Sequence, residues 1–386
     1  METKQERESY LILSLIPYKV LPAQTGGQKA IVLLERFLSL QTSLLAVSVK
    51  SNMPSLAAAE DIGLENIISD SATRYINPFY YFRLAKLIRR YRVKYLLIEH
   101  PYWGWLGLLL AKGTGVKLII RSHNIEAFRW KSLGKWWWTI LEKYEGLVHR
   151  RADYSLFIQD NDRQIALTHY KVPASKCMTA TYGVTWQKAP EVTEKQAARA
   201  FLLQAHQIPA DHTILLFNGA LGYRPNSAAV AALVERVNPL LQASGLSYTL
   251  VICGKGLPSS FNNLEAYKHQ RVIYTGFVED IDVYFKGADV FLNPVIDGGG
   301  IKTKLIEALA WNTCSVSTMN GALGVTEKEA GNQLLLVPDH DWAAFAEAVL
   351  SAAATKESRF TPAAFYSHFY WGNIVRRALD FISANQ

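Results

Sequence analysis

Short apolar runs alternate along the chain with longer segments whose apolar residues recur at helical spacing. YLILSLIPY (10–18), LLAVSV (44–49), YLLIEH (95–100) and KLII (117–120) each read as a buried strand. Helical composition falls at Ala30 to Leu40, in the aromatic and basic segment Tyr75 to Tyr95, and in the amphipathic stretch 131–153. YSLFIQDND (154–162) supplies another strand end, and a last strand lies within 171–200 before a polar, charged connector. The rhythm restarts at HTILLFN (212–218), with a helix opening near Asn226, then strands at 247–253, ahead of the Gly276-Phe277-Val278 turn within 271–290, at 288–295 and at 313–318. GNQLLLVP (331–338) and the aromatic, helical stretch 359–382 close the chain. Strand and helix in regular alternation predict two doubly wound α/β units, with the boundary between 186 and 210.

Composition narrows the class. A chain of 386 residues, 49% hydrophobic and 19% charged, is long enough for two folded cores and too apolar for disorder. No apolar run reaches the roughly 20 residues of a membrane-spanning helix. The opening METKQERESY is polar and unlike a signal peptide. Cys177, Cys253 and Cys314 are scattered, without metal-ligand spacing, which suits a reducing cytoplasm. Of the net charge of +8, residues 1–190 hold 26 Lys+Arg against 15 Asp+Glu, and the remainder 15 against 18. The first half therefore faces something anionic: a membrane surface, a lipid-phosphate acceptor or nucleic acid. No nucleic-acid motif supports the third. Arg83, Lys86 and Arg90 share one face of their helix and suit anionic lipid or a solvated surface.

Residues 288–318, ADVFLNPVIDGGGIKTKLIEALAWNTCSVST, carry the clearest chemistry. A strand, the turn Asp297-Gly298-Gly299-Gly300 and a helix from Lys302 to Ala310 bring main-chain N–H groups and a positive helix end toward a phosphate. Three adjacent glycines are costly to order, which favours a ligand over a plain crossover turn. Arg121, Ser122, His123 and Asn124 emerge at the carboxyl end of another strand, where ligands bind in such folds. Arg121 offers a fork of donors to a phosphate or acidic acceptor. The aromatic PYWGW (101–105) lines a candidate acceptor pocket. Trp136, Trp137 and Trp138 read as core on a sheet, with an interfacial anchor as the alternative. The loop after the first strand, with Gly26 and Gly27, lacks the three-glycine dinucleotide fingerprint, which counts against a dehydrogenase.

GGGIKTKLIEALA followed by a small-residue strand and GALGV resembles the signature of GT-B-fold, family-4-type retaining glycosyltransferases, in the subset with a triple-glycine turn. The resemblance implies two Rossmann-like domains facing across a cleft, with a C-terminal helix crossing back to the first. It assigns residues 1–190 plus 365–386 to an acceptor-binding domain and 205–360 to a nucleotide-sugar donor domain. Glu307 matches the signature glutamate that holds the donor ribose. Gly299 stands where the fuller pattern has its first glutamate, and Asp297 is the nearest carboxylate. By the same likeness Gly298, Gly299, Gly300, Ile301 and Lys302 bind the donor phosphates. Gly26 and Gly27 match a first-strand loop facing the diphosphate. Val278, in the Gly276-Phe277-Val278 turn, matches the place where main-chain groups hold the base. His123 matches a histidine that contacts the donor sugar. The family's Arg and Lys phosphate clamp is replaced by Ala220 and Pro225, so Lys304, then Arg224, take over charge neutralisation.

The expected activity is therefore metal-independent glycosyl transfer, with His123, Asp297 and Lys304 in the chemistry and no cofactor beyond the nucleotide-diphosphate sugar itself. A glycan, a lipid-linked compound or a small molecule is the acceptor. The expected location is the cytoplasm, at the inner face of a membrane. An inverting enzyme of the same fold and a catalytically silent nucleotide-sugar-binding subunit are the alternatives.

Overall fold

The computed structural model describes residues 11–355 and 358–385, so the polar METKQERESY stretch lies outside the described residues. The chain divides into two compact units, one running through Gly183 and resuming at Trp371, the other spanning Val184–Tyr370.

The first unit is built on seven parallel strands, β1 (Ile12–Leu15), β2 (Leu44–Val49), β3 (Leu64–Ile68), β4 (Tyr95–Glu99), β5 (Lys117–Ser122), β6 (Tyr154–Phe157) and β7 (Cys177–Thr179). Their order is β3-β2-β1-β4-β5-β6-β7. Helices cover both faces, so β1, β2 and β4 are buried along their whole length and read as unbroken apolar runs. The edge strand β3, LENII, is only half-buried and polar, and the apolar pattern misses it. The first helix starts at Gly26, four residues before the expected Ala30. Thr25 caps it, and its box with Gln28 satisfies end groups that outweigh two poor helix formers. The stretch after PYW folds as an unanticipated helix, Gly104–Thr114.

The second unit carries β8 (Thr213–Asn218), β9 (Tyr248–Cys253), β10 (Val272–Gly276), β11 (Val290–Asn293), β12 (Cys314–Thr318) and β13 (Leu334–Val337), all parallel, in the order β10-β9-β8-β11-β12-β13. The predicted connector is partly a helix, Val192–Ala205, opened by a capping box at Glu191. The expected C-terminal helix is two helices broken at Tyr370: Ala363–Phe369 in the second unit and Trp371–Ala384 in the first. The latter packs on the helix Gly26–Ser39. Trp371 is fully buried there, edge-on to Tyr182 at 5.8 Å.

Each sheet reverses its winding direction once, at β1/β4 and at β8/β11. Crevices beyond the carboxyl ends of those strands are where doubly wound sheets take ligands. Beside the first reversal lies a buried acid, Glu35, on the helix Gly26–Ser39, accepting a hydrogen bond from Ser14 Oγ at 2.5 Å. Burial, with Glu99 adding, pushes its carboxyl up from 4.5 to about 8. A proton kept in the fold but lost by the unfolded chain makes stability fall with pH. The contribution is full below about 4.5 and declines as pH rises toward about 8. Glu35→Gln should therefore flatten the drop in unfolding temperature between pH 5 and pH 8, followed by circular dichroism (about those pH limits). A variant as steep as the parent would show that Glu35 is ionised in the fold.

Candidate functional site

In the second unit β11 ends at Asn293, whose buried amide donates to Ser317 Oγ (3.0 Å) and Gly321 O (2.7 Å). This ties the end of β11 to the loop after β12. The Asp297–Gly300 turn follows, with Gly298 and Gly300 at φ +87° and +78°, a region side chains resist. A Cβ on Gly298 would lie 3.0 Å from Tyr223 Oη. The helix Thr303–Ala310 begins directly after, and no side chain caps its first turn. Its leading N–H groups are thus left for a ligand. Ile301 supports the turn by packing on the loop at Gly324.

Two lysines flank this helix start. Lys302 Nζ turns back onto the glycine turn, donating to Gly298 O (2.6 Å) and Gly300 O (3.1 Å). Lys304 Nζ donates to Asn218 O and Asn226 Oδ1, both at 3.1 Å, and lies 4.2 Å from the Phe217 ring centroid. It therefore joins the glycine turn to the loop after β8 and the helix Arg224–Ala232. Among the described residues no carboxylate pairs with either amine. Burial pushes Lys302 down to about 8, and burial with the charge of Lys302 pushes Lys304 down to about 7. Arg224 is exposed at the start of its helix, Asp297 is exposed, and Glu307 is half-buried along Thr303–Ala310.

The neighbouring loops are laced through the main chain. Leu221 N donates to Lys255 O (2.9 Å) and Gly254 N to Gly276 O (2.7 Å). Phe277 is exposed beyond β10 with Lys255 Nζ 5.4 Å from its ring centroid, and Val278 follows it half-buried. The far end of Thr303–Ala310 is pinned. Thr361 Oγ1 donates to Leu309 O, Tyr366 Oη and Trp186 Nε1 to Ala310 O, and Lys195 Nζ to Trp311 O and Asn312 O.

In the first unit, Gly26 and Gly27 are the opening residues of a helix, not a loop ahead of one. His123 follows β5 and is buried. Its Nε2 lies 2.6 Å from Glu99 Oε2. Arg121 is not available to a phosphate. It is wholly buried, and Nη1 donates to both oxygens of Glu99, its cross-strand neighbour, at 3.1 Å. Burial raises the Glu99 carboxyl, but Arg121 and His123 outweigh it and hold it at about 2. Burial and then His100 and Arg121 push His123 down to about 3, so the ring is neutral. A carboxylate neighbour fixes the proton on Nε2 and leaves Nδ1 as an acceptor.

The sequence reading passed over His100. It sits at φ +66°, ψ 149°, stacked on His123 with centroids 4.2 Å apart. Tyr18 Oη lies 3.0 Å from its Nε2, and Glu126 Oε1 lies 3.3 Å from its Nδ1. Glu126 also accepts from Tyr102 and Arg129. The available signal was a strand-final histidine at the same carboxyl edge as His123. The three tryptophans are not core: Trp136 is 81% exposed and its two neighbours are half-buried. Their helix begins only at Trp138.

Comparison with known proteins bears on both units. The model for glycosyl transferases group 1 matches residues 212–355, and that for glycosyltransferase family 4 matches residues 54–185. No curated protein sequence matches. Among solved structures, a glycosyltransferase from Rickettsia africae ESF-5 is similar at TM-score 0.73 and 17% identity, covering 98% of each chain. Anabaena Alr3699/HepE, solved with UDP, is similar at 0.72 and 12%, over 96% of this chain and 99% of that one. Sucrose-phosphate synthase from Thermosynechococcus elongatus is similar at 0.67 and 16%, over 97% and 98%. With the GT-B fold in both sheets and family models on both units, the chain belongs to the group 1, family 4 glycosyltransferases, the retaining, metal-independent enzymes that use nucleotide sugars.

Proposed function

We propose that the second unit holds the diphosphate and ribose of the nucleotide sugar at the start of the helix Thr303–Ala310, and that the first unit takes the acceptor. The observation that carries this is the pair of half-buried lysines, Lys302 and Lys304, whose amines meet main-chain and amide oxygens and no carboxylate among the described residues, at an uncapped helix end. Such a site is short of negative charge until an anion arrives. In this reading N–H groups from Gly298 to Ile301 and the Lys302, Lys304 and Arg224 cations bear the charge of the departing diphosphate. Glu307 takes the ribose hydroxyls. Main-chain groups near Val278 take the base, and Asp297 stands nearest the sugar. In the first unit, neutral His123 receives a sugar hydroxyl through Nδ1. Gly26 and Gly27 offer N–H groups of a helix start to a further anionic group. Solved relatives support a uridine nucleotide and a glycan or lipid-linked acceptor. Alr3699/HepE was solved with UDP-glucose, and another similar structure is the lipopolysaccharide outer core galactosyltransferase WaaB.

The reading extends to location. No helix among the described residues is long and apolar enough to cross a membrane. The helix Tyr80–Arg90 turns Arg83, Lys86 and Arg90 to solvent beside Phe79 and Phe82, 71% and 67% exposed. An apolar and basic face of this kind suits the anionic inner surface of a membrane, at up to about 1 kcal/mol per cation.

Calorimetric titration with UDP, GDP and ADP tests the donor site. One nucleotide should bind, Lys304→Met and Glu307→Ala should each weaken it by about 10- to 100-fold, and variants binding like the parent would refute the assignment. Both amines are protonated below about pH 7, whereas above about pH 8 binding must draw protons from solution. Affinity should then fall by up to about tenfold per pH unit for each proton taken up. Vesicle flotation tests the membrane face: binding to anionic vesicles should exceed that to neutral ones and fade with salt, and equal binding to both would end the idea.

A further inference from the structure

Two open grooves among the helices of the first unit share one wall, Trp105. The first, about 460 Å³, runs between Tyr75, Ile76, Tyr102, Trp105 and Tyr144. The second, about 570 Å³, has Trp105 in its wall with Leu108 and Leu109 and is rimmed by Lys112 and Arg151. Together they reach the size of a small-molecule site, yet none of the donor or sugar contacts assigned above lies in them.

The chemistry of the walls restricts the occupant. Trp105 Nε1 donates to Tyr75 O at 2.9 Å. Tyr144 Oη donates to Pro101 O and Tyr102 O, each at 3.1 Å. Tyr102 Oη donates to Glu126 Oε2 at 2.5 Å. The polar ends of these three rings are thus engaged by protein, Trp130 Nε1 is the one ring donor of the lining without a hydrogen-bond partner among the described residues, and the rest of the groove offers ring faces and methyl groups. A sugar held here would lose water from its hydroxyls without regaining hydrogen bonds along most of the length. An alkyl chain loses nothing polar and gains about 0.8 kcal/mol for each methylene removed from water.

The two ends of the groove differ. At one end Tyr102 hydrogen-bonds Glu126, whose other oxygen lies 3.3 Å from His100 Nδ1, and His100 is stacked on His123. At the other end Lys112 and Arg151 present cations. We propose that this groove holds the aliphatic chain of a lipid-linked acceptor, its sugar or phosphate head toward Tyr102 and His123 and its tail leaving past Lys112 and Arg151. This deepens the transferase reading and rests on it: an acceptor site has meaning only if a donor binds in the second unit. The cationic rim complements the anionic headgroups among which such a tail is anchored.

A series of n-alkyl phosphates from four to twelve carbons, below their micelle concentrations, is the probe. The tryptophan fluorescence change that is lost in Trp105→Phe reports binding at the groove, and the donor-induced rise in melting temperature is read in the same samples. Affinity should climb about two- to fourfold per methylene until the groove is full. Leu109→Asp and Ile76→Asp, both at exposed wall positions, should flatten that climb while leaving the donor-induced shift intact. Affinity independent of chain length, or a climb that both variants leave unchanged, overturns the groove while the donor reading stands. Preferential competition by maltose over the alkyl series overturns it in favour of a sugar subsite. A chain-length climb with no donor-induced shift in any sample overturns the acceptor assignment through failure of the transferase reading.

Discussion

An eight-residue helix held from behind is the constraint on which the proposed donor site depends. Thr303–Ala310 has about two turns, too few to persist by its own hydrogen bonds. Its trailing carbonyls are taken by Thr361, Tyr366, Trp186 and Lys195, from segments on either side of it in sequence. Leu305, Ile306, Ala308 and Leu309 bury its inner face. With the far end satisfied and one face packed, the leading N–H groups are fixed in direction before any ligand comes. Electrostatic stabilisation of a departing diphosphate is most effective when dipoles need no reorganisation at the moment of transfer.

The two units treat buried charge in opposite ways. In the first, Glu99 is matched by Arg121 and His123, and Glu126 by His100, Tyr102 and Arg129. Such a cluster is costly to desolvate and adds little net stability, but it holds rings and carboxylates in a single arrangement. Its product is a neutral His123 that can receive a hydrogen bond and has no proton to release at ordinary pH. In the second unit Lys302 and Lys304 are half-buried, and among the described residues their amines meet only main-chain and amide acceptors. Removing the mismatch requires an anion, and burial makes each amine's protonation respond to one. Charge thus gives the two units different tasks although their sheets share a winding pattern.

Apolar runs made most strands legible because a parallel sheet covered on both faces tolerates few polar residues. The strand it hid was β3, where an edge position accepts Glu65 and Asn66. The triple-glycine turn could be read because Gly298 and Gly300 need a backbone that other residues resist. The direction of a long side chain could not be read: Arg121 pairs inward through register with Glu99, and register is a property of two strands. His100 went unseen for the same reason, since its stacking partner lies 23 positions away in sequence. The tryptophans misled because aromatic composition does not say which side of a helix start faces the sheet.

Gly299 separates what the backbone demands from what the site leaves open. Gly298 and Gly300 have positive φ, and a side chain at Gly298 would also press on Tyr223 and Pro225. Gly299 has neither restriction: its φ is ordinary, and a Cβ there would meet nothing within 4 Å. A carboxylate at 299, as in the fuller signature, would therefore fit the chain sterically. It would also place a negative charge three residues from Lys302, whose amine already folds back over this turn. With glycine there the amines keep no carboxylate partner among the described residues, and a Cβ-sized space at 299 stays clear. The departure from the family pattern is thus electrostatic in effect. In the proposed site it favours a diphosphate and leaves Asp297, two residues earlier and exposed, as the nearest carboxylate in sequence.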